Sequence, residues 1–323
     1  MLSFIAQRLA KAVVVLLAIV VFNFMLIRMA PGDPAMVMAG EAGASDKIFV
    51  TQLREKFGLD QPLPVQLYRY VKGIATLDLG FSFRQQMPVA KLIAERLPAT
   101  LLLTVTAFVI SLLLGVLFGA LAARFAGTWA DTAITILALI FYATPLFWVA
   151  LMAILLFSVA MDWLPSFGYE TVGANYTGIA HVLDVGAHLI LPAMTMGLFF
   201  TATYARMTRA SMLEVQRHDF VKTARAKGLR NAVIQRRHVL RNALLPVVTL
   251  AGLQAGTLVG GAVLTETVFA WPGIGRLMYE ALLQRDYNLL LGVFVVCSAM
   301  VLAFNLITDL IYRAVDPRIE FAS

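Results

Sequence analysis

Apolar residues in this chain run in long unbroken stretches. They do not follow the periods of about 2 or 3.6 residues that a half-buried strand or helix of a water-soluble fold would show. Crossing the hydrocarbon core of a bilayer takes ~20 apolar residues as helix, and six segments qualify: 9–29, 99–123, 132–161, 188–212, 244–264 and 289–312. Each predicts an α-helix, because in lipid a helix satisfies its own backbone groups, and the alternation of an outer-membrane barrel is absent. The pattern therefore predicts an all-α membrane protein with six transmembrane helices. The organisation expected is an N-terminal helix (1–30), an external loop subdomain (31–98), a five-helix core (99–313) containing a cytoplasmic segment (213–243), and a tail (314–323). Arg8 and Lys11 precede the first apolar run as they would in a signal peptide. That run is longer than a typical signal core, so it is expected to stay as an anchor.

Polar interruptions orient the spans. Residues 206–241 hold ten Lys or Arg against Glu214 and Asp219, whereas 162–187 hold none, so the former faces the cytoplasm. Six spans then put both termini inside. Residues 31–98 carry eight basic side chains, yet a loop longer than ~60 residues translocates largely regardless of charge. Within that loop the sequence predicts a turn at Pro31-Gly32-Asp33-Pro34, a helix from Ser45 to about Phe57 ended by Gly58, and an amphipathic helix over 65–74.

Inside the spans, Pro145 is a candidate hinge, while Pro192 and Pro246 are expected in first turns, where proline costs little. Gly115, Gly119 and Ala123, and Gly252, Gly256 and Gly260, form small-residue stripes that suit close helix packing or sliding. Arg28, Arg206 and Asp309 lie near enough to span ends to snorkel. That leaves Asn23, Thr201, Gln254 and Asn305 as candidate pathway residues.

Composition confirms the class and removes others. Hydrophobic residues make up 60% of the 323-residue chain and charged ones 14%, with a mean hydropathy of +0.81. The net charge of +7 sits beside spans, where membrane lipid and topology account for it without nucleic acid. A lone Cys297 builds neither a disulfide framework nor a thiolate metal site. No G-x-x-x-x-G-K-[ST] loop, H-E-x-x-H or G-x-S-x-G motif occurs, and His181, His188, His218 and His238 form no catalytic pattern. The chain is expected to be no enzyme, with no metal or cofactor of its own.

The most distinctive polar stretch is DFVKTARAKGL: Asp219, Phe220, Val221, Lys222, Thr223, Ala224, Arg225, Ala226, Lys227, Gly228 and Leu229. Asp219 can cap a short helix with Phe220, Val221 and Ala224 near one face and the cations elsewhere, and Gly228 can end it. Such a helix suits either a groove on a cytoplasmic partner or an anionic lipid surface.

TARAKGL (223–229) followed by RNALLPVVT (241–249) resembles the cytoplasmic motif of permease subunits of ATP-binding-cassette importers, in the form of the dipeptide and oligopeptide group. MAPGDP (29–34), RMTRASMLEV (206–215), LTETVFAWPGIGR (264–276) and DPRI (316–319) agree with it in order along nearly the whole chain. The resemblance implies a type I importer permease fold in a bacterial inner membrane. It also implies a complex with a second, similar permease, two cytoplasmic ATPases that bind ATP and Mg, and an external solute-binding protein. Residues 219–229 would couple the chain to an ATPase. Glu266, Trp271, Pro272 and Gly273 would form an outer gate, with Glu266 favoured as a local cap. Lys222, Thr223 and Ala224 stand where importer permeases in general carry Glu-Ala-Ala, so no salt bridge carries over from that acidic form. Glutathione, nickel or another small solute is the alternative cargo. A stand-alone transporter or channel is the alternative class.

Overall fold

A computed structural model describes residues 2–29, 36, 48, 50–51, 54–55, 60–82 and 84–315. The turn expected at 31–34, most of the helix expected over 45–57, and the segment 316–319 lie outside the described residues. The chain divides into two compact units, Met1–Pro98 with Arg276–Leu302, and Ala99–Gly275 with Ala303–Ser323.

In the first unit, α1 (Leu2–Met29) is the N-terminal apolar helix and α2 (Leu63–Ala75) is the amphipathic helix expected after the Pro62 and Pro64 breaks. Pro64 sits in its first turn, where the missing N–H removes nothing. Tyr70 of α2 stacks on Phe24 of α1 at 5.8 Å between ring centroids, and burial pushes its phenol pKa up. A two-stranded hairpin follows, β1 (Phe81–Ser82) paired with β2 (Met87–Pro88). Its Ser82 hydroxyl donates to Asp286, and the Asn288 amide donates to the Phe81 carbonyl at 3.1 Å. The Asp286 carboxylate also accepts the Leu289 N–H at 3.1 Å. One carboxylate thus caps the start of the last helix and anchors the hairpin.

The second unit is built around α6 (Ile179–Val215), which packs most extensively against α8 (Arg241–Val268) and α4 (Trp129–Ala143). The other helices of the chain, in order, are α3 (Val89–Arg124), α5 (Leu146–Ala153) with a π-helical extension (Ile154–Ala160), α7 (Asp219–Ala226), α9 (Ile274–Leu283) and α10 (Tyr287–Val315), of which 89–98, 276–283 and 287–302 fall in the first unit. A helical turn (Asn231–Val233) and a second π-helical stretch (Ile234–Leu240) lead directly into α8. Leu103 and Ala107 of α3, Ala193 and Met196 of α6, Leu258 and Ala262 of α8, and Trp271 form one buried cluster. A Cβ on Gly115 or Gly119 would overlap Tyr204 or Ala205 of α6, so the α3 stripe is a close helix contact.

Among the described residues, five helices are long and apolar enough to cross a membrane, or six if α4 and the α5 pair count as one span bent by 103°. The third span is therefore broken at the candidate hinge, Pro145. Thr144 and Pro145 are extended at its centre, because Pro145 removes an N–H and biases the residue before it away from the helical region. Pro192 is not in a first turn: α6 starts at Ile179, well ahead of the apolar run, and carries Pro192 in its interior. Pro246 is likewise interior, since the π-helical lead-in continues the helix ahead of it. The second span begins at Val89 rather than 99 and contains Pro98. In all three cases polar residues outside the apolar run extend the helix.

Candidate functional site

Beyond its apolar run, α6 continues to Val215, and a turn held by Arg217 N–H to Glu214 C=O (3.0 Å) and His218 N–H to Val215 C=O (3.1 Å) follows it. His218 is extended (φ −69°, ψ 149°) and precedes α7, so the capping position belongs to His218 and not to Asp219. Asp219 instead occupies the first helical position. Its carboxylate accepts from Lys222 Nζ at 2.8 Å, and that ammonium holds the Asp219 carboxyl below the usual carboxylate range. Acid at a helix start also complements the helix dipole.

The end of α7 has the two bonds of a Schellman motif. Leu229 N–H reaches the Ala224 carbonyl at 3.4 Å and Gly228 N–H the Arg225 carbonyl at 2.9 Å. Gly228 has φ +73°, a conformation that a side chain opposes.

Spacing places Val221 and Ala224 on one side, and the structure turns that side inward. They are 0% and 5% exposed, packed with Ala123, Met212, Ile234, Val239 and Ala243. Phe220 leaves this face and is 42% exposed, with the His218 ring edge-on at 5.7 Å. The expectation that Val221 and Ala224 fit a partner's groove is corrected: their groove is in the same chain. Phe220, Thr223 and Lys227 lie outward at i, i+3 and i+7, flanked by exposed Lys222, Arg225, Ala226 and Leu229. The clamp joins α7 to the ends of α3 and α6 and to the lead-in of α8.

In the expected outer gate, Glu266 and Trp271 are both 0% exposed. Glu266 accepts the Thr100 hydroxyl at 2.6 Å, and the Thr100 oxygen accepts the Ile274 N–H at 2.7 Å. Trp271 Nε1 donates to the Ala99 carbonyl at 2.8 Å. Gly273 is buried against the Glu266 carboxylate, leaving only Pro272 partly at the surface. The loop packs against Ala99 and Thr100 of α3, because two large side chains with polar tips both find partners inside.

The four candidate pathway residues are not alike. Thr201 is buried, and its hydroxyl donates back to the Gly197 carbonyl at 2.8 Å. Gln254 is half-buried with a buried Oε1 that no donor meets among the described residues. Asn23 is half-buried and Asn305 exposed.

Two features escaped sequence reasoning. Arg209 of α6 grips Asp131 of α4 through Nε and an Nη, both at 2.7 Å, and the Gly127 N–H adds a 3.0 Å bond to the same carboxylate. Asp131 is 5% exposed. One turn earlier, Arg206 lies with its guanidinium 5.7 Å from the Tyr142 ring centroid. Only the charge signs within RMTR and WAD hinted at the pair. Arg209→Ala strands a buried carboxylate, and truncating one partner of such a pair costs about 3 kcal/mol or more. The expected outcome is lower thermal stability of the purified complex, read by its melting temperature. Arg209→Lys, which keeps the charge but loses the fork, should fall between.

Residues 115–321 match the family of binding-protein-dependent transport system inner membrane components, and residues 1–104 match the corresponding N-terminal family. The chain is 40% identical over 337 residues to the dipeptide transport system permease protein DppB of Escherichia coli (strain K12), covering 99% of each. It is 38% identical over 336 residues to the DppB of Alkalihalophilus pseudofirmus, covering 99% of this chain and all of that one. Among solved structures, an inward-facing MetNI methionine ABC transporter chain matches with a TM-score of 0.57 at 21% identity, covering 70% of this chain and 96% of the other.

Proposed function

This chain belongs to the binding-protein-dependent transport system inner membrane components, a permease subunit of an ABC importer, and from that premise we propose that its cargo is a di- or oligopeptide. The observation that carries the peptide reading is likeness along the entire chain to permeases named for dipeptide transport. The protein is a multi-pass bacterial inner-membrane protein, with both termini cytoplasmic in this reading.

The partners we infer are a second, homologous permease, two cytoplasmic ATPases that bind ATP and Mg, and an external solute-binding protein. The outward face of α7 (Phe220, Thr223, Lys227) seats on one ATPase, with the cationic flank meeting acids there. ATP-driven closure of the ATPase pair moves α7. Because Val221 and Ala224 lock α7 to α3, α6 and the α8 lead-in, that movement tilts the spans outward. The binding protein then releases cargo into the space between the permeases. Coupling of this kind requires contacts that differ between the two states.

ATP hydrolysis by the complex purified through this chain, with and without binding protein and a mixed peptide pool, tests the reading. Severalfold stimulation by the two together is the expected result. A response to nickel or glutathione alone would replace the cargo, and a purified chain with no ATPase would remove the importer assembly proposed here.

A further inference from the structure

A cleft of about 380 Å³ opens between α4 and α6, within the size range of small-ligand sites. Its walls are small or apolar, among them Ala138, Leu139, Ala202 and Ala205, and no acidic residue lines it. Arg206 and Arg209 both reach it. The Arg209 charge is met by Asp131, whereas no carboxylate lies within ion-pair distance of Arg206 among the described residues, and Arg206 is exposed. The cleft therefore carries one uncompensated cation.

The depth of that cation decides what surrounds it. Arg206 follows seventeen residues without a charge, 189–205, and its backbone position alone suggests a side chain that snorkels to the interface. Side chains on a helix lean toward its N-terminus, which for α6 is away from the basic cytoplasmic end. The guanidinium in fact rests against Tyr142, and Tyr142 stacks on Phe199 at 5.9 Å. Phe199 lies about 10 Å back along α6 from Arg206 at 1.5 Å per residue. The charge is thus turned into the apolar run. Exposed guanidinium at that depth is costly against lipid, and charges there face water-filled cavities or protein.

We propose that the α4–α6 cleft forms part of the cargo pathway and that Arg206, supported on Tyr142, pairs transiently with the carboxylate of the peptide in transit. The second half rests on the peptide reading above. A free C-terminal carboxylate is common to peptides whatever their side chains, so one cation among small apolar walls recognises cargo without selecting sequence. A guanidinium over an aromatic face keeps its in-plane N–H donors free for a carboxylate. Among the described residues no second uncompensated cation lines the cleft, which keeps the hold weak enough for release.

The test uses the complete complex in inside-out vesicles, with Cys297→Ser as background and Arg206→Cys as probe. Modification by a charged, membrane-impermeant thiol reagent is expected. Modification by a lipid-soluble maleimide alone, or by neither reagent in a complex that still binds and hydrolyses ATP, overturns the aqueous pathway. In parallel, uptake at saturating loaded binding protein should fall about tenfold in Arg206→Gln, the equivalent of one lost interaction of 1.4 kcal/mol. Binding-protein-stimulated ATP hydrolysis should persist, and Arg206→Lys should recover part of the uptake. Unchanged uptake in Arg206→Gln overturns the carboxylate role. If the unsubstituted complex imports no peptide, the cargo reading fails by itself, and the thiol reactivity still reports whether the cleft is wet.

Discussion

Gly273→Val is expected to abolish accumulation of the assembled complex, rather than to leave an intact complex with a defective gate. A Cβ at Gly273 would overlap the Glu266 carboxylate, and that group has no solvent to retreat into. Displacing it also removes the acceptor of the Thr100 hydroxyl, which itself receives the Ile274 N–H. Overpacking costs roughly 1–3 kcal/mol, and leaving a buried polar group unmet costs a further ~1–3 kcal/mol. Their sum is a large share of the ~5–15 kcal/mol by which folded domains are stable. Membrane content of the chain and the melting temperature of whatever complex is recovered are the measurements. Glu266→Gln supplies the control, since it can still accept the Thr100 proton and should be milder. A Gly273→Val complex that accumulates and melts normally but fails in uptake would support the gate role instead.

The buried contacts of Glu266 and Trp271 mark how far the sequence could be read. Continuous hydropathy reports that a segment is apolar, and it located the spans. It does not report that Thr144 and Pro145 break one of them by 103°: Pro145 identifies where a helix is weakened, while the angle is set by what the two halves pack against. Hydropathy also hid the polar extensions of α3 and α6, because a helix continuing outside the bilayer no longer needs apolar residues. The apolar spacing in DFVKTARAKGL showed that α7 has a buried side, and the Gly228 terminus was visible from composition. Whose surface buries that side was not visible, since a short apolar stripe fits its own chain or a partner equally well. The contact of Arg206 with Tyr142 was hidden for a related reason. Residue counting places its Cα along α6, and it does not say which ring the guanidinium rests on. The Asp131–Arg209 pair joins positions 78 apart in sequence, and nothing local connects them.

Thr223→Trp is expected to eliminate most uptake, by tenfold or more, while leaving the chain inserted and folded. Thr223 sits at the centre of the outward face of α7, between Phe220 and Lys227, and it is exposed. Its hydroxyl donates back to the Asp219 carbonyl at 3.0 Å, so losing that bond costs little within the chain. An indole there projects into whatever groove receives the helix, and each ~1.4 kcal/mol of lost docking energy is a factor of ten in the docked population. Ala224→Trp would be a poor substitute for this experiment. Ala224 is packed against Val221 and Ile234, so a large side chain there disrupts the chain's own core, and lost uptake would carry no information about docking. The decisive comparison is therefore between faces. Thr223→Trp should lower both ATPase co-purification and uptake at an unchanged melting temperature of the isolated permease pair, whereas Ala224→Trp should lower the melting temperature as well. If Thr223→Trp keeps its ATPase and imports at the normal rate, the outward face of α7 is not where ATP-driven movement enters this chain.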